Sequence, residues 1–271
     1  MLETPLFFDR GSVRLFGVWH QHTGPEARLP FVFCHPMAEE KLWAHRVWVG
    51  FARELCSRGH HVLRFDCAGN GDSDLAFRQS SIETAMADID AAVQFAKGQS
   101  GSPTVGLLGL RLGASLAYRV AARRADVESL VLWGPIVKGP RYLQELLRIN
   151  LTTQTAVYGV IQEDRDDLLR TLAAGGTVNV DGYEFSKAMA DQLDGLDLLK
   201  EPPAASERSL VVQIERAAAA KPFPELAALT APLRNASVCV VQEEPFWKEI
   251  PRFYQKAPNL FECTLRWLGY D

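Results

Sequence analysis

Short apolar runs alternate with amphipathic stretches along the first half of the chain. Apolar runs of strand length occupy residues 29–34, 61–66, 105–110 and 127–133. Stretches with apolar residues three or four positions apart lie between them, at 41–58, 81–97 and 113–124. Buried strands that alternate with helices predict a parallel sheet covered on both faces. An alternating stretch at 11–19 predicts an earlier, half-exposed strand.

The pattern changes after the fourth buried run. Two helical stretches, 140–150 and 162–173, are followed by a predicted hairpin at 177–185 that turns at Asp181-Gly182. The strand and helix pattern then resumes, with strands at 210–214 and 237–242 and a helix at 256–268. Because the insertion is too long for a plain loop, it predicts a lid over residues 136–209. The core then comprises residues 1–135 and 210–271.

The most informative motif is the run Gly109-Leu110-Arg111-Leu112-Gly113, which follows an apolar strand and opens an alanine-rich helix. A strand, a Gly-x-X-x-Gly turn and a helix predict a nucleophile elbow, whose middle residue stands at the carboxyl edge of the sheet. We therefore predict an α/β-hydrolase fold, with a mostly parallel central sheet flanked by helices and a helical lid insertion. The middle residue is Arg111, where this fold usually has a nucleophile.

The sequence excludes a Ser-His-Asp hydrolase. Arginine is always protonated and has no lone pair with which to attack a carbonyl carbon. The catalytic histidine of this fold follows the last strand, yet all six histidines (residues 20, 22, 35, 45, 60 and 61) precede residue 62. Where the acid is expected, the chain reads Glu215-Arg216-Ala217-Ala218. Ser115 lies one helical turn after the elbow and is more typical of helix packing.

Arg111 has two possible roles at this position. Free N–H groups and the helix dipole at a helix N-terminus favour anions, which predicts a site for a carboxylate, a phosphate or a thioester-derived oxyanion. A buried arginine also needs a partner, so the alternative is an internal ion pair. The candidate partners for that ion pair are Glu39, Glu40, Glu243 and Glu244.

Residual catalysis would need a base or a nucleophile. His35 is the best candidate because it ends a strand at the right edge of the sheet, although it could instead orient its loop. We predict His35, Arg111 and Glu243 as catalytic residues. We predict a binding role for Met37, Glu39, Glu40, Leu110, Leu112, Glu244 and Trp247.

No metal ion or cofactor is expected. Asp66, Asp72 and Asp74 fall in a turn signature of this fold, and His20 and His22 share a strand face with no third ligand visible. The net charge is −4, and no dense stripe of lysine and arginine indicates a nucleic-acid partner.

We expect a cytoplasmic protein. The first five residues lack the basic start of a signal peptide, and no stretch approaches membrane-spanning length. The five cysteines are isolated and odd in number, which is typical of reduced thiols.

Four segments together resemble the second exosortase A system-associated hydrolase family. They are residues 35–41 (HPMAEEK), 65–73 (FDCAGNGDS), 109–114 (GLRLGA) and 243–247 (EEPFW). The resemblance covers nearly the whole chain, and the GLRLGA run is its most specific element. Members of that family are associated with bacterial exopolysaccharide and protein-sorting loci, which often encode an acyl carrier protein, an acyl-activating ligase and a companion hydrolase-like protein. The resemblance implies binding or chemistry near acyl thioesters.

Three functions follow as alternatives. The first is acyl transfer or hydrolysis of a small-molecule or carrier-bound acyl ligand, favoured by an open pocket with an unpaired Arg111. The second is a pseudohydrolase that binds an acyl carrier protein or an active homologue, favoured by a filled pocket or an apolar patch on the lid. The third is a relocated cysteine or aspartate nucleophile, favoured by a cysteine facing the pocket beside His35.

Overall fold

The sheet is the framework that positions the elbow. A computed structural model describes residues 1–218, 221–250 and 254–270. Its strands are β1 (Leu2–Arg10), β2 (Val13–Gln21), β3 (Arg28–Cys34), β4 (His60–Phe65), β5 (Val105–Leu110), β6 (Val127–Trp133), β7 (Thr177–Val180), β8 (Tyr183–Ser186), β9 (Arg208–Glu215) and β10 (Ala236–Gln242). Eight of them form one sheet in the order β1-β2-β4-β3-β5-β6-β9-β10.

Parallel pairing covers most of this sheet. Six strands run parallel to one another, in the order β4-β3-β5-β6-β9-β10. The other two are antiparallel: β1 pairs antiparallel with β2, and β2 pairs antiparallel with β4. Every residue of β5 is buried, as expected for a central strand with helices on both faces. The structure is therefore the predicted α/β-hydrolase fold.

Helices cover both faces of the sheet. They are α1 (Glu39–Ser57), α2 (Ile82–Ser100), α3 (Leu112–Ala121), α4 (Gly139–Tyr158), α5 (Arg165–Ala173), α6 (Lys187–Asp194), α7 (Pro224–Thr230) and α8 (Pro258–Leu268). Helices α1 and α8 pack on one face, against aromatic side chains that include Phe33 and Trp133. Helices α2 and α3 pack on the other, where alternate strand residues such as Val32 and Leu107 point.

The segment between β6 and β9 contains α4, α5, the β7–β8 hairpin and α6. The predicted hairpin turn is confirmed: Asp181 and Gly182 both have positive φ, 48° and 89°, as a two-residue hairpin turn requires. Helix α4 is longer than predicted and ends where Gly159 adopts a left-handed cap. No helix among the described residues is both long and apolar enough to cross a membrane.

Three elements were not predicted. β1 is an edge strand whose residues are mostly exposed, so it lacks a clear alternation of buried and exposed positions. Helices α6 and α7 have only 8 and 7 residues, which gives a helical period too few turns to stand out. These elements owe their structure to tertiary packing as much as to their own sequence.

Candidate functional site at the elbow after β5

Arg111 lies between the last residue of β5 and the first residue of α3, in the predicted sharp turn. Its backbone has φ 55° and ψ −121°, a strained conformation for a residue with a side chain. The turn needs Gly113, because a Cβ there would lie 2.2 Å from the Cys34 carbonyl oxygen and 2.3 Å from that of His35. Arg111 therefore stands where the nucleophile of this fold stands.

Two carboxylates hold the guanidinium of Arg111. Its Nε donates to Oε1 of Glu40 at 3.0 Å, and Nη2 donates to Oε2 of Glu145 at 3.1 Å. Glu40 belongs to α1 and Glu145 to α4, so this one side chain joins two helices that are far apart in the sequence. Lys248 also pairs with Glu145. Glu40 is the one correct member of the four predicted partners, and Glu145 and Lys248 were missed.

Two aromatic rings complete the surroundings of Arg111. Its guanidinium carbon lies 5.4 Å from the ring centroid of Tyr142 and 5.4 Å from that of Trp247, within range of a cation–π interaction. The Tyr142 hydroxyl donates to Oε2 of Glu40 at 3.1 Å. The predicted site residue Trp247 is therefore at the site, and Tyr142 is an unpredicted member of it.

The pKa shifts show how closely these charges interact. Burial works against the Arg111 cation, but attraction by Glu40, Tyr142 and Glu145 outweighs it and raises the pKa of Arg111. Burial raises the pKa of Glu40 despite the opposing effect of Arg111. For Glu145, Lys248 and Arg111 together outweigh burial and lower the pKa. Burial raises the pKa of Tyr142 well above its ordinary value, so the phenol stays protonated and donates to Glu40.

A cleft of about 700 Å³ opens beside Arg111. Its walls come from α4 and from the segment that follows β6, including Ile136, Val137 and Leu147. Among the described residues, the Nη1 group of Arg111 donates no hydrogen bond to the protein. A guanidinium has five N–H donors, so Arg111 retains donors for a ligand even though two of them are engaged.

The His35 loop lies on the other side of the elbow. His35, Met37 and Leu112 line a second, much smaller cavity of about 50 Å³. Within the described part of the chain, Nδ1 of His35 has no hydrogen-bond partner. Burial, together with the charges of Lys41 and Arg64, holds the pKa of His35 well below its ordinary value. The ring is therefore neutral near pH 7.

Cys67 also lines this small cavity beside His35, the arrangement that favours a relocated nucleophile. However, burial and the nearby Asp88 raise the pKa of the Cys67 thiol well above its ordinary value. A nucleophilic cysteine needs its thiolate form. Ser115 is no substitute, because it is fully buried and its hydroxyl donates to the Ile136 carbonyl oxygen at 2.7 Å.

Four predicted site residues make no hydrogen bond or ion pair with the Arg111 side chain in the described structure. Glu243 caps α8: its carboxylate accepts from the Asn259 N–H at 2.7 Å and the Tyr254 hydroxyl at 2.6 Å. Glu244 pairs with Arg216 at 2.8 Å on the surface. Glu39 stands in the first turn of α1 and has no ion pair with Arg111, and Leu110 packs on the α1–α8 face of the sheet. The ion pairs predicted from Glu39, Glu243 and Glu244 to Arg111 are therefore wrong.

No group of three or more histidine, cysteine, aspartate or glutamate side chains in described positions is arranged to hold a metal ion. The turn that contains Asp66 has a structural role, since Asp66 pairs with Lys41 at 2.6 Å. His20 accepts from Nε of Arg64 at 2.8 Å, so its ring also has a protein partner.

Comparisons with solved structures agree with this fold. Est1E from Butyrivibrio proteoclasticus with bound ferulic acid has a TM-score of 0.73 and 16% identity, covering 97% of this chain and 98% of that one. The enol-lactonase from Burkholderia xenovorans LB400 has a TM-score of 0.65 and 16% identity, covering 97% and 100%. The thioesterase domain from the curacin biosynthetic pathway has a TM-score of 0.53 and 16% identity, covering 91% and 95%. At these identities the similarity shows the fold alone.

The sequence itself gives a family assignment. No curated protein matches the chain. The profile of the family described as "Serine aminopeptidase, S33" matches residues 25–173, which include α1, the elbow and helices α4 and α5. Since this match covers more than half of the chain, the protein belongs to the serine aminopeptidase S33 family, with the family's α/β-hydrolase fold and an arginine at the position of the nucleophile.

Proposed function

We propose that this protein is a non-hydrolytic member of its family, which binds an acyl or carboxylate-bearing ligand beside Arg111 without cleaving it. The observation that carries the proposal is the engagement of Arg111, at the nucleophile position, by Glu40 and Glu145. A guanidinium cannot attack a carbonyl carbon. The two salt bridges hold Arg111 in place, and its N–H donors outside these bonds are the ones from which a ligand could accept.

The remaining groups near the elbow support the absence of turnover. Ser115 is buried and hydrogen-bonded, and the Cys67 thiol has a raised pKa. His35 is neutral and could act as a base toward water, but it lines the small cavity and not the cleft beside Arg111 where the ligand would bind. All six histidines precede residue 62, so none occupies the place of the catalytic histidine after β10.

The cleft supports ligand binding. It is large enough for a small organic molecule, and Arg111 lies in its wall with N–H donors to spare. A carboxylate or a thioester carbonyl oxygen could accept from Nη1, because guanidinium donors match carboxylate geometry. Apolar side chains of the same wall, such as Ile136 and Leu147, would contact an acyl chain. The association with exopolysaccharide or exosortase-type loci, and with an acyl carrier protein, is part of this proposal and rests on the sequence resemblance.

A second candidate function is partner binding, and the tip of the lid favours it. Val157, Tyr158, Val160 and Ile161 are each more than half exposed, at 66%, 59%, 59% and 53%. A cluster of exposed apolar side chains is typical of an interaction site.

The Val157→Ser/Ile161→Ser variant should weaken co-purification with an active homologous hydrolase at least fivefold, with octanoate binding unchanged. Equal co-purification of both proteins would remove this candidate.

The proposal predicts no catalytic turnover. Purified wild-type protein should hydrolyse acyl-pantetheine and acyl-carrier thioesters no faster than buffer, with or without a candidate partner. Calorimetric titration should show octanoate binding that weakens about tenfold in Arg111→Gln, through loss of a charge-assisted contact. Arg119→Gln, on the same helix but outside the cleft, is the matched control.

Two results would contradict the proposal. Thioester turnover that disappears in both Arg111→Ala and His35→Ala would make the protein an enzyme with an arginine-based acyl site. Octanoate that binds equally to wild type and to folded Arg111→Gln would place the ligand elsewhere. Circular dichroism of each variant separates loss of binding from loss of folding.

A further inference from the structure

The cleft beside Arg111 is lined by more cationic side chains than carboxylates. Three of these cations come from α4: Lys138 is the N-cap of the helix, and Arg141 and Arg148 lie within it. They line the same cleft because residues three or four apart share a helix face. Arg165, the first residue of α5, joins them from the next lid helix. Together with Arg111, five cations line one cavity.

The carboxylates of the same cleft are already engaged. They are Glu145, which pairs with Arg111 and Lys248, and Glu225, which lies 3.9 Å from Arg141. Across residues 1–218, 221–250 and 254–270, no carboxylate oxygen lies within ion-pair distance of Lys138, Arg148 or Arg165. These three cations, called here the basic rim, therefore face one cavity without a counter-ion in a chain whose net charge is −4.

Five apolar side chains form a further part of the wall, beside Tyr142 and Gln144. Pro135, Ile136 and Val137 follow β6, and Leu147 and Leu151 extend along α4. The cleft thus combines an apolar wall, a single arginine with spare donors and a rim of three uncompensated cations. A ligand that matches this combination is amphiphilic and carries more negative charge than one carboxylate.

We infer that the basic rim is a phosphate-binding subsite and that the ligand is a phosphate ester with an apolar or acyl part. The ester phosphate lies at Arg148 and Arg165, and the apolar part runs along the wall toward Arg111. Lys138, about 15 Å from Arg148 along α4, adds positive charge to the same cleft. A phosphate monoester carries a charge of about −1.5 to −2 near pH 7 and three acceptor oxygens, which suits these cations better than a carboxylate does. Arginine forks bind such oxygens in pairs. This inference rests on the proposed function, since it adds a second subsite to the same cleft.

Calorimetric titration with three probes tests the subsite. The probes are n-octyl phosphate, octanoate and inorganic phosphate, titrated into wild type, Arg148→Gln, Arg165→Gln and the double variant. The matched control is Arg170→Gln, which removes an exposed arginine of α5 that pairs with Asp167. We expect n-octyl phosphate to bind wild type at least tenfold more tightly than octanoate or inorganic phosphate. Each rim variant should weaken n-octyl phosphate about fivefold and octanoate less than twofold, and the control should change neither.

The three probes separate the two proposals. Equal affinity for n-octyl phosphate and octanoate, or equal weakening of both by Arg148→Gln, would overturn the phosphate subsite and leave the carboxylate site at Arg111 intact. Binding of n-octyl phosphate that depends on the rim, with no binding of octanoate, would overturn the carboxylate site and keep the subsite. If inorganic phosphate binds as tightly as n-octyl phosphate, the inference that the ligand is a phosphate ester with an apolar part is overturned. If no probe binds, both proposals are overturned.

Discussion

Replacement of Arg111 by methionine is expected to lower the free energy of unfolding by about 3–5 kcal/mol, the usual cost of removing one partner of a buried ion pair. The Glu40 side chain is 13% exposed, and Arg111 is the cation that lies on it at 3.0 Å. Without Arg111, Glu40 retains only the Tyr142 hydroxyl and is also repelled by Glu145. Methionine keeps most of the apolar length of the side chain, so the loss reports on charge. Urea denaturation at pH 7 measures it.

Two further variants separate the ion pair from packing. In Arg111→Met/Glu40→Gln, the amide oxygen can accept from Tyr142 and Glu145 keeps Lys248 as its partner, so stability should return to within about 1 kcal/mol of wild type. Arg170→Met on α5 is the control, because the Arg170 and Asp167 side chains are 70% and 38% exposed and such a pair contributes about 1 kcal/mol or less. If Arg111→Met costs no more than Arg170→Met, the ion pair is not what stabilises the elbow.

Acidification from pH 7 to pH 5 is expected to destabilise the fold through two buried histidines. Burial, followed by the charge of Arg64, lowers the pKa of His20 from 6.5 to about 4. Burial likewise lowers the pKa of His60 to about 4. Both pKa values are lower in the folded state, so the unfolded chain binds more protons. Their stabilisation is therefore complete above about pH 6.5 and is lost as the pH falls toward 4. Each histidine should contribute a loss of about 2 kcal/mol between pH 7 and pH 5.

The hydrogen bonds of these rings explain why the neutral form is favoured. Nε2 of His20 accepts from Arg64 at 2.8 Å, so a proton on that nitrogen would face a guanidinium. In His60, Nδ1 lies 2.6 Å from the Leu29 carbonyl oxygen, and Nε2 lies 2.7 Å from the Tyr270 hydroxyl. A neutral ring with its proton on Nδ1 satisfies both contacts.

Comparison with His20→Gln and His60→Gln isolates this effect. Burial raises the pKa of the carboxyls of Glu40 and Asp88, and their contribution to stability changes in the opposite direction over part of this pH range. We therefore expect each variant to lose about 2 kcal/mol less than wild type between pH 7 and pH 5, and the double variant about 4 kcal/mol less. Urea titrations at several pH values measure the slopes. Parallel slopes for wild type and the double variant would contradict the prediction.

Local sequence was enough to predict the elements with strong patterns. The strands around Val105–Leu110 and Val127–Trp133 were predicted with their observed bounds, because buried strands are continuously apolar. The elbow followed from the spacing of Gly109 and Gly113, which the backbone geometry requires. The edge strand Leu2–Arg10 and the short helices α6 and α7 were not predicted, because their local patterns are weak and their structure depends on neighbours.

Some of the side chains that contact Arg111 could not be predicted from the sequence, and the reason differs from the weak local pattern of the short elements. Glu40 lies in the loop-to-helix segment that follows β3, so the fold's topology places it near the elbow. Glu145 and Tyr142 lie on α4, in the segment between β6 and β9, and segments that connect sheet strands vary in position. Glu243 looked equally suitable as a partner, yet its carboxylate caps α8. Short-range rules do not say which of several carboxylates reaches a given cation.

The sequence by itself determined the fold class, the sharp turn after β5 and the arginine in the middle of that turn, because these depend on periodicity, glycine spacing and residue identity. Only the tertiary structure decided which groups surround Arg111 and that a basic cleft lies beside it. The physical reason is the difference in sequence separation between the two kinds of interaction. Hydrogen-bonded periodicity acts over a few residues, whereas the Arg111–Glu40 pair joins positions 71 residues apart and the Lys248–Glu145 pair joins positions 103 apart. Tertiary packing of helices from distant parts of the chain brings such groups together.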